Sequence, residues 1–156
     1  MKALLVAMIV VAFAVPASAD TGIGVRMGAT LSPDQFHFGG HLDLGPVAKD
    51  VRLHPNVEIG IGDNLTVIAL GVEALYIIPT NWGRWHPYAG GGIAIAHYDF
   101  DGGRFGRGGS DSEFGITMSG GIERALSSGN RFFVEMKIGA LDVPDLKFTV
   151  GWTFPV

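Results

Sequence analysis

The chain contains no cysteine, so neither a disulfide framework nor a thiolate metal site is open to it. A secreted product of this size then has to be held by packing or by lipid. Charge is sparse too: 11 Lys and Arg against 15 Asp and Glu leave a net charge of -4. The basic residues are scattered, which removes the electrostatic footprint that nucleic-acid binding needs. There is no charge block, low-complexity tail or linker to mark a second module, so one domain is expected. Past Ala19 there is also no apolar run approaching the ~20 residues of a spanning helix. Any insertion into a bilayer must therefore be made by strands.

What the chain has in excess is glycine, 24 residues in a sequence that is 47% hydrophobic. Soluble domains average about 7% glycine, roughly half as much. At the amino end, Lys2, the apolar run Ala3 to Val15, Pro16 and the small residues Ala17, Ser18 and Ala19 form the three regions of a secretory signal peptide. Cleavage after Ala19 divides the chain into a signal peptide, 1–19, and a mature domain, 20–156.

The mature part alternates. In its last stretch, Leu146, Phe148, Val150, Trp152 and Phe154 alternate with Lys147, Thr149, Gly151 and Thr153, the period of a strand with one apolar face and one small, polar face. The same pattern recurs from Thr21 to Leu31, Gln35 to Gly45, Val51 to Gly62, Leu65 to Ile77, Tyr88 to Tyr98, Phe114 to Glu123 and Arg131 to Gly139. That makes eight strands. Asp63-Asn64 reads as a two-residue hairpin turn, which sets Gly62 opposite Leu65, Asn56 opposite Gly71 and His54 opposite Glu73. Pro55 interrupts the third strand, since proline has no ladder donor. Asp99 to Ser112 is the least hydrophobic mature segment and is expected to be the longest loop.

Eight strands close a barrel just wide enough for side chains, in water or in lipid. The faces decide between them. A soluble lipocalin-like binder needs its polar face solvated, and here that face is mostly glycine interrupted by single charges, a poor solvated strand surface. Tyr76, Trp82, Trp85, Phe132, Trp152 and Phe154 also gather at one end of the strands, and Phe36, Phe38, Phe100, Phe114 and Phe148 at the other. Two aromatic girdles are what a bilayer-spanning barrel carries. The fold class expected is all-β, an eight-stranded antiparallel up-and-down transmembrane barrel behind a cleavable signal peptide.

Three runs carry a resemblance: PYAGGG from Pro87 to Gly92, FVEMKIG from Phe133 to Gly139, and the closing strand with Thr149, Gly151, Phe154 and Val156 in the positions of a C-terminal assembly signal. The whole mature chain resembles the small eight-stranded outer-membrane proteins of the OmpA and OmpX type. The resemblance implies a bacterial outer-membrane location, lipid and the outer-membrane assembly machinery as partners, a monomer, and a role in envelope integrity or adhesion.

The inner face is expected to carry Arg26, Arg52, Arg131, Lys137 and Lys147 against Asp43, Glu58, Glu73, Glu113, Glu123 and Glu135. This nearly balanced set favours closure by ion pairs over conduction. The ion-pair candidates are Arg26, Asp43, Arg52, His54, Glu58, Glu73, Glu123, Arg131, Glu135 and Lys137. A tight turn around Pro46 to Lys49 would set Asp43 opposite Arg52, His41 opposite His54 and His37 opposite Glu58, and the next such turn Glu123 opposite Arg131. His41, His54 and Glu73 are weighed as a metal site and Asp99 to Gly103 as a calcium loop, but each lacks further ligands, so no cofactor or metal is expected. The surface-loop candidates are Asp99, Asp101, Arg104, Arg107 and Asp111. His97, Asp99, Asp111 and Ser112 meet at the loop end of adjacent strands, the residue types of a lipid-modifying enzyme, yet nothing singles out Ser112 as activated. The reading that results is a non-enzymatic barrel with a structural or surface-interaction role, displaying a partner site on the 99–112 loop. A narrow pore, a lipid-modifying enzyme and a lipocalin-like binder are the alternatives.

Overall fold

A computed structural model describes residues 21–100 and 109–156. The signal-peptide expectation falls on residues outside that range. The described residues form strands β1 (Gly22–Leu31), β2 (Asp34–Asp43), β3 (Pro46–Ala48), β4 (Val51–Gly62), β5 (Leu65–Ile77), β6 (Trp85–Phe100), β7 (Gly109–Ala125), β8 (Arg131–Leu141) and β9 (Leu146–Pro155). Each long strand pairs antiparallel with its sequence neighbour, β9 returns to β1, and β2 pairs with β4 past the three-residue β3. The result is a closed eight-stranded barrel. Closure satisfies the strand edges that an open sheet leaves unpaired.

The apolar face points out. Ile23, Val25 and Met27 of β1 are about half exposed, as are Phe36, Ile61, Ile93, Phe114, Ile138 and Phe148 around the wall. Arg26, His37, His41, Glu58, Glu73, Glu135, Lys137 and Thr149 are buried inside. This inverts a soluble barrel, and such a wall is compatible with lipid rather than water. Sequence neighbours place the ends: β1 starts and β9 finishes at what we term the terminal end, and the β6–β7 hairpin lies at the opposite, hairpin end.

The β4–β5 register is the expected one, with Gly62 opposite Leu65, Asn56 opposite Gly71 and His54 opposite Glu73; in the turn, Asn64 takes positive φ, 58°. Two registers differ from expectation, each by two residues. His41 pairs with Asn56 instead of His54, and His37 with Gly60 instead of Glu58. The cause is the connection after β2, in which β3 folds back on the start of β4 and Gly45 and Asp50 adopt positive φ, so the turn is longer than a tight hairpin. Glu123 likewise pairs with Phe133 and not Arg131, because Leu126 to Asn130 closes as a five-residue loop through Leu126 N–H to Asn130 O, 2.9 Å. Since both shifts are even, every side chain keeps its face. Pro55 also has its reason. Leu44 N–H donates to Leu53 O, 3.0 Å, so the alternation sets Pro55 opposite Leu42, where it has no N–H to give; paired β2 residues end at His41.

The expected 99–112 loop is shorter than that, because β6 continues to Phe100 and β7 begins at Gly109. Leu44, expected outward beside Leu42, is 6% exposed, since the chain has already left the strand.

Val134 lies mid-strand on the outer face between Ile122 and Val150. Val134→Arg should destabilise the barrel by about 2–4 kcal/mol, as arginine does at the lipid midplane, read from denaturant unfolding in lipid vesicles.

Candidate functional site: the ion-paired lumen and the hairpin end

The lumen is organised around Arg26, which β1 projects inward. Its Nη2 donates to Glu135 Oε1 at 2.7 Å, Nε lies 3.4 Å from Glu58 Oε1, and Nη1 3.9 Å from Glu73 Oε2. Lys137 Nζ contacts the same three carboxylates at 3.7, 2.9 and 3.8 Å, for Glu58, Glu73 and Glu135 respectively. Lys147 Nζ donates to Glu58 Oε2 at 2.5 Å. Three cations therefore meet three carboxylates. Neutral donors complete the set: Asn56 Nδ2 donates to Glu73 Oε2 at 3.0 Å and the Tyr88 hydroxyl to Glu135 Oε2 at 3.0 Å. Burying a charge costs several kcal/mol unless it is paired and hydrogen-bonded, and here pairing supplies the compensation.

A second cluster sits nearer the terminal end. Asp43 accepts from Arg131, lies 3.6 Å from Arg52 Nη1 and 3.3 Å from His54 Nε2, and its other oxygen accepts Gly45 N–H at 2.8 Å. Arg52 Nη1 also donates to Glu123 Oε1 at 3.0 Å. Two arginines thus balance two carboxylates. Arg52 does meet Asp43 as expected, but Glu123 is held by Arg52 and Arg131 by Asp43, because the two-residue register shifts move the partners.

Apolar side chains close off the charges. Leu75, Tyr88 and Phe133 form a buried cluster backed by Ile77, and Arg26 lies over the Phe133 ring at 5.6 Å. At the hairpin end, Val67, Ala96 and Val143 form another. Val143 reaches it because the β8–β9 connection bends into the barrel, held by Asp145 N–H to Ser32 O, 3.0 Å, and by the Tyr98 hydroxyl to Asp142 O, 3.0 Å. A Cβ on Gly115 or Gly139 would strike Val143, so those two glycines form the notch that receives it. Two cavities, of about 20 Å³ beside Glu58, Glu73 and Thr117 and about 10 Å³ beside His54, Tyr88 and Glu123, hold about one water each at most.

The histidines are structural spacers. His37 bridges the Thr30 and Thr149 hydroxyls at 3.0 Å each, and His41 Nε2 meets Thr153 Oγ1 at 2.8 Å while its ring stacks on His54 at 5.6 Å between centroids. Glu73 is engaged by Lys137, so His41, His54 and Glu73 do not converge on a common point.

At the hairpin end, His97 and Ser112 are cross-strand partners on the outer face, with His97 Nδ1 and Ser112 Oγ 2.8 Å apart. Asp111 Oδ1 accepts the Ser112 N–H at 2.8 Å, and Asp99 faces Ser110. Among the described residues no carboxylate bonds the other His97 nitrogen. Asp101, Arg104 and Arg107 lie outside the described residues, as does most of the Asp99 to Gly103 segment. Glu113 stands near Asp111 in neither lumen cluster.

Sequence reasoning had Lys147 on the inner face without a partner and overlooked Tyr88 and Val143. Tyr88 was findable, since it shares parity with the inward Gly90, Gly92 and Ala94. Val143 was not, because a loop carries no period.

No protein-family profile and no curated protein matches the chain. Among solved structures, the N-terminal β-barrel domain of Pseudomonas aeruginosa OprF is similar at TM-score 0.73 with 14% identity, over 87% of this chain and 96% of that one. Neisserial surface protein A is similar at TM-score 0.68 with 12% identity, over 87% and 96%. The outer membrane enzyme PagL is similar at TM-score 0.52 with 15% identity, over 86% and 99%. The fold is thus that of small eight-stranded outer-membrane barrels.

Replacing Arg26 by methionine should strand carboxylates in the lumen and cost about 3–5 kcal/mol. Arg26→Met combined with Glu135→Gln should recover much of that loss, and a double-mutant cycle from urea unfolding in vesicles measures the difference.

Proposed function

We propose that the protein is a non-enzymatic barrel of the bacterial outer membrane, with its terminal end in the periplasm and its β6–β7 hairpin at the cell surface, serving envelope integrity or surface attachment. The ion-paired lumen is the observation that carries this reading. Among the described residues, three cations against three carboxylates, two more against two, and an apolar cluster at either level fill it, and the cavities beside Glu58 and beside His54 have room for about one water each. Conduction needs sites that an ion can enter and leave, and side chains that neutralise one another at 2.5–3.9 Å offer none. With the wall given to lipid and the lumen to packing, the loops remain for recognition. Among the described residues β6 and β7 are the longest strands, at 16 and 17 residues, and their hairpin end, with Asp99 and Asp111 on it, is the surface offered to a partner; Asp101, Arg104 and Arg107 are the sequence's further candidates there.

A second reading rests on one contact, the 2.8 Å approach of Ser112 Oγ and His97 Nδ1. A serine beside a histidine on a lipid-facing wall is the start of an acyl-ester hydrolase, and PagL supports the idea only in having an enzyme on the same fold. Against it, the Ser112 N–H is already taken by Asp111, so the serine's own amide is not open to an oxyanion.

Removing residues 101–108 should leave heat-modifiable gel migration unchanged while abolishing attachment of expressing cells to their partner surface. Purified protein in planar bilayers should give no steady conductance. Lipid A from expressing cells should have the same mass spectrum with wild type and with Ser112→Ala; a change in acylation that Ser112→Ala removes would establish the enzyme instead.

A further inference from the structure

One cross-strand row on the outer face stands apart from the rest of the wall. Trp85 pairs with Arg124, Arg124 with Phe132 and Phe132 with Trp152, so an arginine is set into an aromatic band at the terminal end. Its guanidinium carbon lies 5.3 Å from the centroid of the Trp85 ring, and Phe132 and Trp152 meet edge to face at 5.9 Å. Arg84 adjoins it: Gly83, at φ 66°, turns the chain so that Trp85 N–H reaches Trp82 O at 3.3 Å, and the Arg84 carbonyl accepts the N–H of Ala125 at 3.0 Å.

Both side chains are exposed. Arg26, Arg52 and Arg131 inside the barrel each engage a carboxylate. Arg84 and Arg124, among the described residues, engage none. Two cations on the rim of an apolar wall, with no protein anion engaging them among the described residues, create a local charge that the neighbouring solvent or lipid has to answer. Guanidinium geometry suits one answer above others, because its fork of N–H groups matches a phosphate bidentately, and stacking on indole holds the fork in place. Toward mid-wall, past Pro87 and Ile122, Ala89 faces Gly120, a low step between Ile122 and the protruding Met118 against which an acyl chain can lie.

We infer that Trp85, Arg124 and Arg84 form a binding site for an anionic glycerophospholipid of the periplasmic leaflet, its phosphodiester held by Arg124, with the nearby Arg84 cation adding long-range attraction. Among the described residues no carboxylate engages either guanidinium, and this makes the site selective, because the ammonium of a zwitterionic headgroup finds no counter-ion there. The inference rests on the membrane reading above, with the terminal end in the periplasm.

The three tryptophans of the chain, Trp82, Trp85 and Trp152, all lie at this rim, so their fluorescence reports the lipid next to it. The experiment folds the full chain into phosphatidylcholine vesicles that contain an equal mole fraction of either dibrominated phosphatidylglycerol or dibrominated phosphatidylcholine. The brominated anionic lipid should quench several-fold more efficiently. Arg124→Gln should abolish the excess, Arg84→Gln should reduce it, and both variants should keep heat-modifiable migration because their side chains lie outside the packed lumen. Equal quenching by the two lipids in the wild type, or an excess unchanged in folded Arg124→Gln, would overturn the site while leaving the membrane reading intact. Quenching by neither lipid, with no heat-modifiable form, would overturn both.

Discussion

Charge neutrality inside a lumen one side chain wide is the constraint from which the rest follows. Arg26, Lys137 and Lys147 can be ionised there only because Glu58, Glu73 and Glu135 are within 2.5–3.9 Å, and these six side chains arrive from β1, β4, β5, β8 and β9. Glu58 and Glu73 come from the β4–β5 hairpin, which brings no cation to this cluster. The cluster is completed only when β9 has closed on β1, so closing the wall and compensating the charge are one event. Leaving out any member exposes the others to the full desolvation penalty.

Glycine is the complement of this arrangement. Large inward groups need wall positions that yield: a Cβ on Gly121 would collide with Tyr88, and one on Gly151 with Phe133. The high glycine content is therefore spatial rather than conformational in origin. It lets aromatic and charged side chains from one strand lie across the backbone of another, which is how a narrow barrel is filled without an apolar core of the usual kind.

Much of this was legible in the sequence. Alternation assigned the faces because strand period is two, and Arg26, Glu58, Glu135 and Lys137 were inward on parity alone, whereas Glu73, on a strand apolar on both faces, was placed by the Asp63-Asn64 turn. The Asp63-Asn64 turn gave a correct register because a two-residue hairpin permits only one. Where the connection was longer, after Asp43 and after Ala125, pairing slipped, since neither β3 nor the Leu126 to Asn130 loop has a period to read. Partner identity failed with it: Glu123 meets Arg52 across the lumen, from a strand that is no sequence neighbour. Such cross-barrel contacts depend on strand tilt and side-chain length, which no linear pattern encodes. The contact between His97 and Ser112 was approachable because the β6–β7 hairpin joins them directly, whereas Val143 entered the lumen through a loop bend.

The even register shifts also bear on how such a chain can vary. A connection at the terminal end that gains or loses two residues slides one strand along its neighbour and exchanges which charges meet, yet leaves the lumen arginines indoors and the wall isoleucines outdoors. A change of one residue rotates the whole strand: for β4 it would carry Glu58 to the lipid side and draw Ile59 and Ile61 into the ion cluster. Insertions and deletions between these strands are thus filtered by parity before they are filtered by size, and drift in turn length proceeds in steps of two.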